Sequence, residues 1–116
     1  MEDVLCDFCR RSWGDDVPMV EGHQGSCICG TCLATAWRCV VLTGDGGERS
    51  YRCTMCLEED EDRAALDRGE ERGWRSPAYP DAAVCRRCIK QAAGALHKSP
   101  AYAWRKPEAD GEAGAV

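Results

Sequence analysis

The sequence predicts a small α+β fold of two tandem units, each with a cysteine-bearing turn, a β-hairpin and a helix. Three observations carry that prediction. Eight of the ten cysteines in the 116 residues fall into four Cys-x-x-Cys pairs: Cys6/Cys9, Cys29/Cys32, Cys53/Cys56 and Cys85/Cys88. The pairs divide the chain into two repeats, and in each repeat the closing pair leads into an apolar stripe of helical period. Finally, a unit of about fifty residues cannot bury enough apolar surface to fold on packing alone, so something else must hold it together.

Bound metal fits the cysteines. Zn²⁺ takes four ligands tetrahedrally without a directional preference of its own, and a two-residue spacer lets one tight turn aim two thiolates at the same ion. Four pairs supply two closed four-thiolate sites, hence two Zn²⁺ per chain and a metal-stabilised fold. Disulfides are the competing reading. They are disfavoured because residues 1–5, Met-Glu-Asp-Val-Leu, have neither the basic nor the apolar region of a secretory leader, and because disulfide frameworks rarely pair nearly all their cysteines at two-residue spacing. Iron–sulfur ligation uses different cysteine runs.

The elements follow in order. Residues 1–43 form the first unit, 44–50 a Gly-rich linker that composition makes flexible, 51–99 the second unit and 100–116 a tail. Each unit opens on a Cys-x-x-Cys in a short strand-like context. In the first unit nineteen residues separate the two pairs, and Val17-Pro18-Met19-Val20-Glu21-Gly22 among them suits a hairpin turning at the glycine. In the second unit the separation is twenty-eight, the excess being an acidic insertion at about 58–73 with eight acids and three arginines. Such a stretch reads as a solvated short helix or mobile loop, or as an acidic docking surface for a basic partner. The tail is expected to be disordered, most plainly from Glu108 to Val116, which is rich in Ala, Gly and acids.

The closing segments align without a gap. Leu33, Ala36, Trp37 and Val40 follow Cys32, and Ile89, Ala92, Ala93 and Leu96 follow Cys88, both sets on one helical face. Either the stripes pack over their hairpins as core, or they form a partner-binding face of Leu33, Trp37, Val41, Ile89, Ala93 and Leu96. Cysteines in the first turn of such helices meet free N–H groups and the positive dipole end, which favours the thiolate a metal needs.

Leu5-Cys6-Asp7-Phe8-Cys9, followed after nineteen residues by Ile28-Cys29-Gly30-Thr31-Cys32-Leu33 context, resembles the N-terminal zinc-binding domain of the ClpX chaperone ATPase. The likeness covers residues 4–42 well and 51–97 more loosely. It implies a treble-clef zinc finger in each unit: a zinc knuckle, a β-hairpin, and a helix whose first turn gives the last two ligands. It implies zinc ligation by Cys6, Cys9, Cys29 and Cys32, and by the repeat also by Cys53, Cys56, Cys85 and Cys88. ClpX zinc domains dimerise and recruit substrates or adaptor proteins, so the resemblance makes this chain a pseudo-dimer fused by a linker, with Trp37 and Val41 facing Ala93 and Leu96, or a partner in a homo-dimer. The partners it implies are proteins, a Clp-type chaperone or its substrates. The chain carries no GxxxxGK[ST] P-loop, so recruitment or scaffolding is expected of it rather than unfolding.

Other assignments are weaker. A cross-brace, with the first and third pairs on one ion and the second and fourth on the other, does not explain why both later pairs begin matching helices. The formal charge is −5, and two zinc ions with four thiolates each bring it to about −9, against the basic face that nucleic-acid binders show. The nucleic-acid alternative rests on Arg86, Arg87, Lys90, Lys98, Arg105 and Lys106, with Trp74, Tyr79, Tyr102 and Trp104 as exposed rings for stacking. Catalysis is not expected, since four thiolates leave zinc no open position. Cys27 could replace Cys29 only by losing the two-residue turn, Cys39 reads as a small core hydrophobe, and His23 and His97 as surface residues. With no long apolar stretch and so many paired cysteines, the chain is placed in the cytoplasm, with no membrane contact.

Overall fold

Each opening Cys-x-x-Cys forms a knuckle closed by the same backbone hydrogen bonds. Arg10 N–H donates to Cys6 O at 2.8 Å and Leu57 N–H to Cys53 O at 2.7 Å, while Cys6 N–H reaches Arg11 O at 2.9 Å and Cys53 N–H reaches Glu58 O at 2.8 Å. The residue after each pair takes the left-handed conformation, Arg10 at φ 66° and Leu57 at φ 68°. L-residues adopt it only at a cost, so its recurrence marks one loop built twice from different side chains. These details come from a computed structural model that describes residues 5–12, 18–22, 25–43, 47–69, 71–100, 102 and 104–107.

Two antiparallel hairpins follow the knuckles. In the first, β1 (Met19–Glu21) pairs with β2 (Cys27–Cys29), Met19 opposite Cys29; in the second, β3 (Gly73–Arg75) pairs with β4 (Ala83–Cys85), Gly73 opposite Cys85. The chain leaves β1 at Gly22, whose N–H bonds Ser26 O at 2.7 Å. Val17 lies outside the described residues. Each knuckle is sewn to its hairpin at the same place. Asp7 N–H donates to Cys27 O at 2.9 Å and the Asp7 carboxylate accepts from Cys27 N–H at 2.7 Å; Thr54 N–H donates to Ala83 O at 2.6 Å and the Thr54 hydroxyl accepts from Ala83 N–H at 3.0 Å. A carboxylate and a hydroxyl do the same work.

Helices close both units, as the stripes predict. In the first unit α1 (Gly30–Ala36) continues as a π-helical segment, Trp37–Leu42, and Thr43 N–H reaches back five residues to Arg38 O. In the second, α3 (Arg86–Lys98) is one thirteen-residue helix. Between them the acidic insertion contributes α2 (Asp60–Ala65), with three acids in its first turn, where the helix dipole favours them, and Glu59 N–H bonded to the Asp62 carboxylate at 2.9 Å.

The two units pack on each other. α3 lies against α1, its π-helical continuation and β1, while β3 lies against the π-helical segment. The buried residues of both units form one apolar cluster. The packing is reciprocal: the Ser76 hydroxyl, from the second hairpin's turn, donates to Phe8 O in the first knuckle at 2.6 Å, and Gly22, from the first hairpin's turn, lies against Met55 O in the second knuckle. In both directions a hairpin turn of one unit thus meets a knuckle carbonyl of the other.

This packing corrects one expectation. Of the six residues anticipated as a partner-binding face, Leu33, Trp37, Ile89, Ala93 and Leu96 are buried in the chain's own core and Val41 is half-buried, because the stripe of each unit covers the other. Cys39 is half-buried at the edge of that core. The described part of the linker is structured: Glu48 exchanges both backbone hydrogen bonds with Gly73, at 2.7 and 2.9 Å, and so extends the second hairpin. The tail also returns to the core. Trp104 donates its indole N–H to Gly30 O at 2.9 Å, and Lys106 N–H donates to His97 Nδ1 at 3.0 Å. Residues 44–46 and 108–116, and His23, lie outside the described residues.

Candidate metal centres

The fold gathers the eight paired cysteines into two sets of four, Cys6/Cys9/Cys29/Cys32 and Cys53/Cys56/Cys85/Cys88, with all sulfurs of a set within 4.8 Å of one another. The pairing is sequential, and the cross-brace is excluded. Each set has two sulfurs from the knuckle, one from the end of the hairpin's second strand and one from the first turn of the helix. Separations of 3.9 Å for Cys6 to Cys32, 3.6 Å for Cys9 to Cys29 and 3.8 Å for Cys56 to Cys85 match the edge of about 3.8 Å that a tetrahedron with metal–sulfur bonds of about 2.3 Å requires. All ten cysteines are unbridged.

Backbone donors converge on the sulfurs in both sets. Cys6 Sγ accepts from Phe8 N–H and Cys29 N–H, each at 3.3 Å; Cys53 Sγ accepts from Cys56 N–H at 3.4 Å and Cys85 N–H at 3.3 Å. Cys85 Sγ accepts from Cys88 N–H at 3.4 Å, capping α3. Amide hydrogens aimed at a sulfur favour its thiolate form, while the neighbouring sulfurs oppose the build-up of charge. The second cysteine of each knuckle, Cys9 or Cys56, is half-buried and the other three of each set are buried.

Proton affinities within the sets show the same conflict. Hydrogen bonds from Cys32 and then Cys6 pull the Cys29 thiol far below its ordinary range, and those from Cys85 and Cys88 hold Cys53 down at about 4. The protons collect elsewhere: Cys32 and Cys88 are pushed far up by their bonds to Cys29 and Cys53, and Cys6 to about 11 by its bond with Cys29. Four sulfurs this close cannot all keep their protons comfortably or all lose them unaided. A divalent cation resolves both demands by replacing the protons.

Charged side chains near the sulfurs escaped the sequence reading. Arg11 approaches Cys29 Sγ at 3.9 Å. Arg87 sits beside Cys56, which, with Glu58, raises its guanidinium above the ordinary range; Glu58 in turn accepts from Arg68 at 2.8 Å and pairs with Arg87 at 3.2 Å. Clusters that bring distant arginines to one carboxylate have no signature in spacing. Cys27 Sγ lies outside the sets: it is buried, donates to Gly25 O at 3.6 Å, and burial followed by the Glu21 and Asp7 charges pushes its thiol up.

Several of the aromatic and basic residues offered for nucleic acid are engaged within the chain, whereas Lys90 and Lys98 are exposed. Trp74 is buried and stacks on Phe8, which corrects its expected exposure; Trp104 is docked on Gly30, and Lys106 sits 5.5 Å over the Trp37 ring. Tyr79 is exposed and faces Arg10 at 5.0 Å. Among the described residues no helix is long and apolar enough to cross a membrane. Comparison with known protein families, with curated proteins and with solved structures finds no match to this chain.

Proposed function

We propose that the chain is a non-catalytic interaction module held by two zinc ions: a pair of treble-clef fingers of the ClpX zinc-binding type, fused into one pseudo-dimer, that recruits or scaffolds protein partners. The observation that carries the reading is the pair of sulfur tetrahedra, identical in element origin and in burial, each joining a knuckle, a hairpin and a helix. Cys6, Cys9, Cys29 and Cys32 would hold one zinc and Cys53, Cys56, Cys85 and Cys88 the other. Four thiolates complete the coordination of zinc, which supports a structural role over a catalytic one. What the metals do is fix a surface, and the reciprocal packing presents it as one body. The Clp-type chaperone or its substrates are the partners that the sequence likeness favours, in the cytoplasm.

The test is capture from the native host with the full, zinc-loaded chain, set against the same chain stripped with chelator. Zinc-dependent recovery of a AAA+ unfoldase or its substrates supports the reading. Recovery of nucleic acid, lost steeply as salt rises, overturns it.

A further inference from the structure

The repeat sets up a comparison inside the molecule. Both closing cysteines, Cys29 and Cys85, stand opposite the first residue of their partner strands, so Val20 corresponds to Trp74; both knuckles count two residues from their opening cysteine, so Met55 corresponds to Phe8. The two junctions between units are thus one junction built from different side chains. At the first, the Trp74 and Phe8 rings stack with centroids 5.7 Å apart and planes inclined by 28°, both buried. At the second, the smaller Val20 and the unbranched Met55 leave an open groove of about 560 Å³ between the first hairpin and α3, lined also by Glu21, Gly22, Arg87 and Ala92 and bordered by Cys56 and Cys88 of the second sulfur set. The units cannot close this gap by approaching further, because a Cβ on Gly22 would already stand 2.6 Å from Met55 O.

We propose that this groove takes an aromatic side chain, tryptophan foremost, from an extended segment of a partner protein. The inference deepens the interaction-module reading and rests on it. The filled junction shows what the shape accepts, since an indole lies there against the residue that Met55 replaces. Met55, buried at the base of the groove, gives it an apolar floor, and its thioether is the polarisable partner that aromatic rings favour. Tryptophan is the side chain that most often anchors such interfaces. Glu21 and Arg87 put one charge of each sign on the lining, so a segment carrying both signs around its aromatic residue is matched.

The experiment is an amide-resolved NMR titration of the zinc-loaded full chain with N-acetyl-tryptophanamide, with N-acetyl-alaninamide as the control. Saturable shifts at Val20, Gly22, Met55 and Ala92, absent with the alanine compound, are expected. Val20→Trp places the chain's own indole where Trp74 stands in the other junction; it should keep both metals and weaken the probe at least tenfold. No saturable shift, shifts centred on the Phe8 and Trp74 junction, or a folded Val20→Trp chain that binds as well as the parent would each overturn the proposal. So would groove shifts that grow with protein concentration alone, which assign the groove to a second copy of this chain. If Val20→Trp does not fold, the map on the parent chain decides. A chain that captures its partner with zinc but gives no groove shifts loses only the groove assignment; one that captures none loses the module reading.

Discussion

Arg63 follows five consecutive acids, Glu58 to Asp62, yet only 1% of it is exposed. Its guanidinium lies 3.8 Å over the Tyr51 ring, donates to Tyr51 O at 2.7 Å and Glu58 O at 3.2 Å, and pairs with Asp60. Charge patterning reads such a stretch as solvated because it cannot see the ring and carbonyls waiting elsewhere. Arg63→Ala should destabilise the zinc-loaded chain by about 3 kcal/mol, since it strips a buried ring and two carbonyls of their donor. Arg63→Lys should restore only part of the loss, an ammonium being unable to fork and stack at once; chemical denaturation measures both. Glu58 is a second case. Its bond from Arg68 holds its carboxyl below the usual carboxylate range. A depressed folded pKa gives a stabilisation complete above the unfolded value of about 4.3 and lost as pH falls through the folded one. Glu58→Gln should therefore cost about 1–3 kcal/mol, and the same amount at pH 6 as at pH 8.

At the scale of elements, legibility followed periodicity. The stripes after Cys32 and Cys88 foretold α1 and α3, and the apolar run ending at Gly22 foretold the first hairpin, because each announces itself in its own residues. The π-helical turn at Trp37–Leu42, the pairing of Glu48 with Gly73 and the return of Trp104 to Gly30 did not, since each depends on a neighbour distant in sequence. The stripe's partner was hidden for the same reason: apolar spacing shows that a face is covered, not by what. The four cysteines of each set were legible down to the residue, because the Cys-x-x-Cys turn is local to the pair. Gly22 shows the limit of composition. A glycine ending a strand reads as a turn, whereas its backbone is where the first hairpin meets the second knuckle. Gly22→Ala should push Met55 away and cost about 1–3 kcal/mol, with the change in amide shifts reaching both units; a change confined to the first hairpin would argue against the reciprocal junction.

Over the whole molecule, two units of similar plan share one core and exchange the same contact in both directions. Neither has an apolar face of its own left to close, so stability belongs to the pair. Thermal unfolding of the zinc-loaded chain is accordingly expected as a single transition, and removal of either metal should release both units together. The same logic extends to the proposed function: a surface assembled from two units would exist only while both sulfur sets hold metal. The most direct test is native mass spectrometry of the full chain under increasing chelator. Two zinc ions per chain, lost together with the compact charge-state envelope, are the predicted result. One ion per chain, a metal other than zinc, or a compact metal-free species would contradict it.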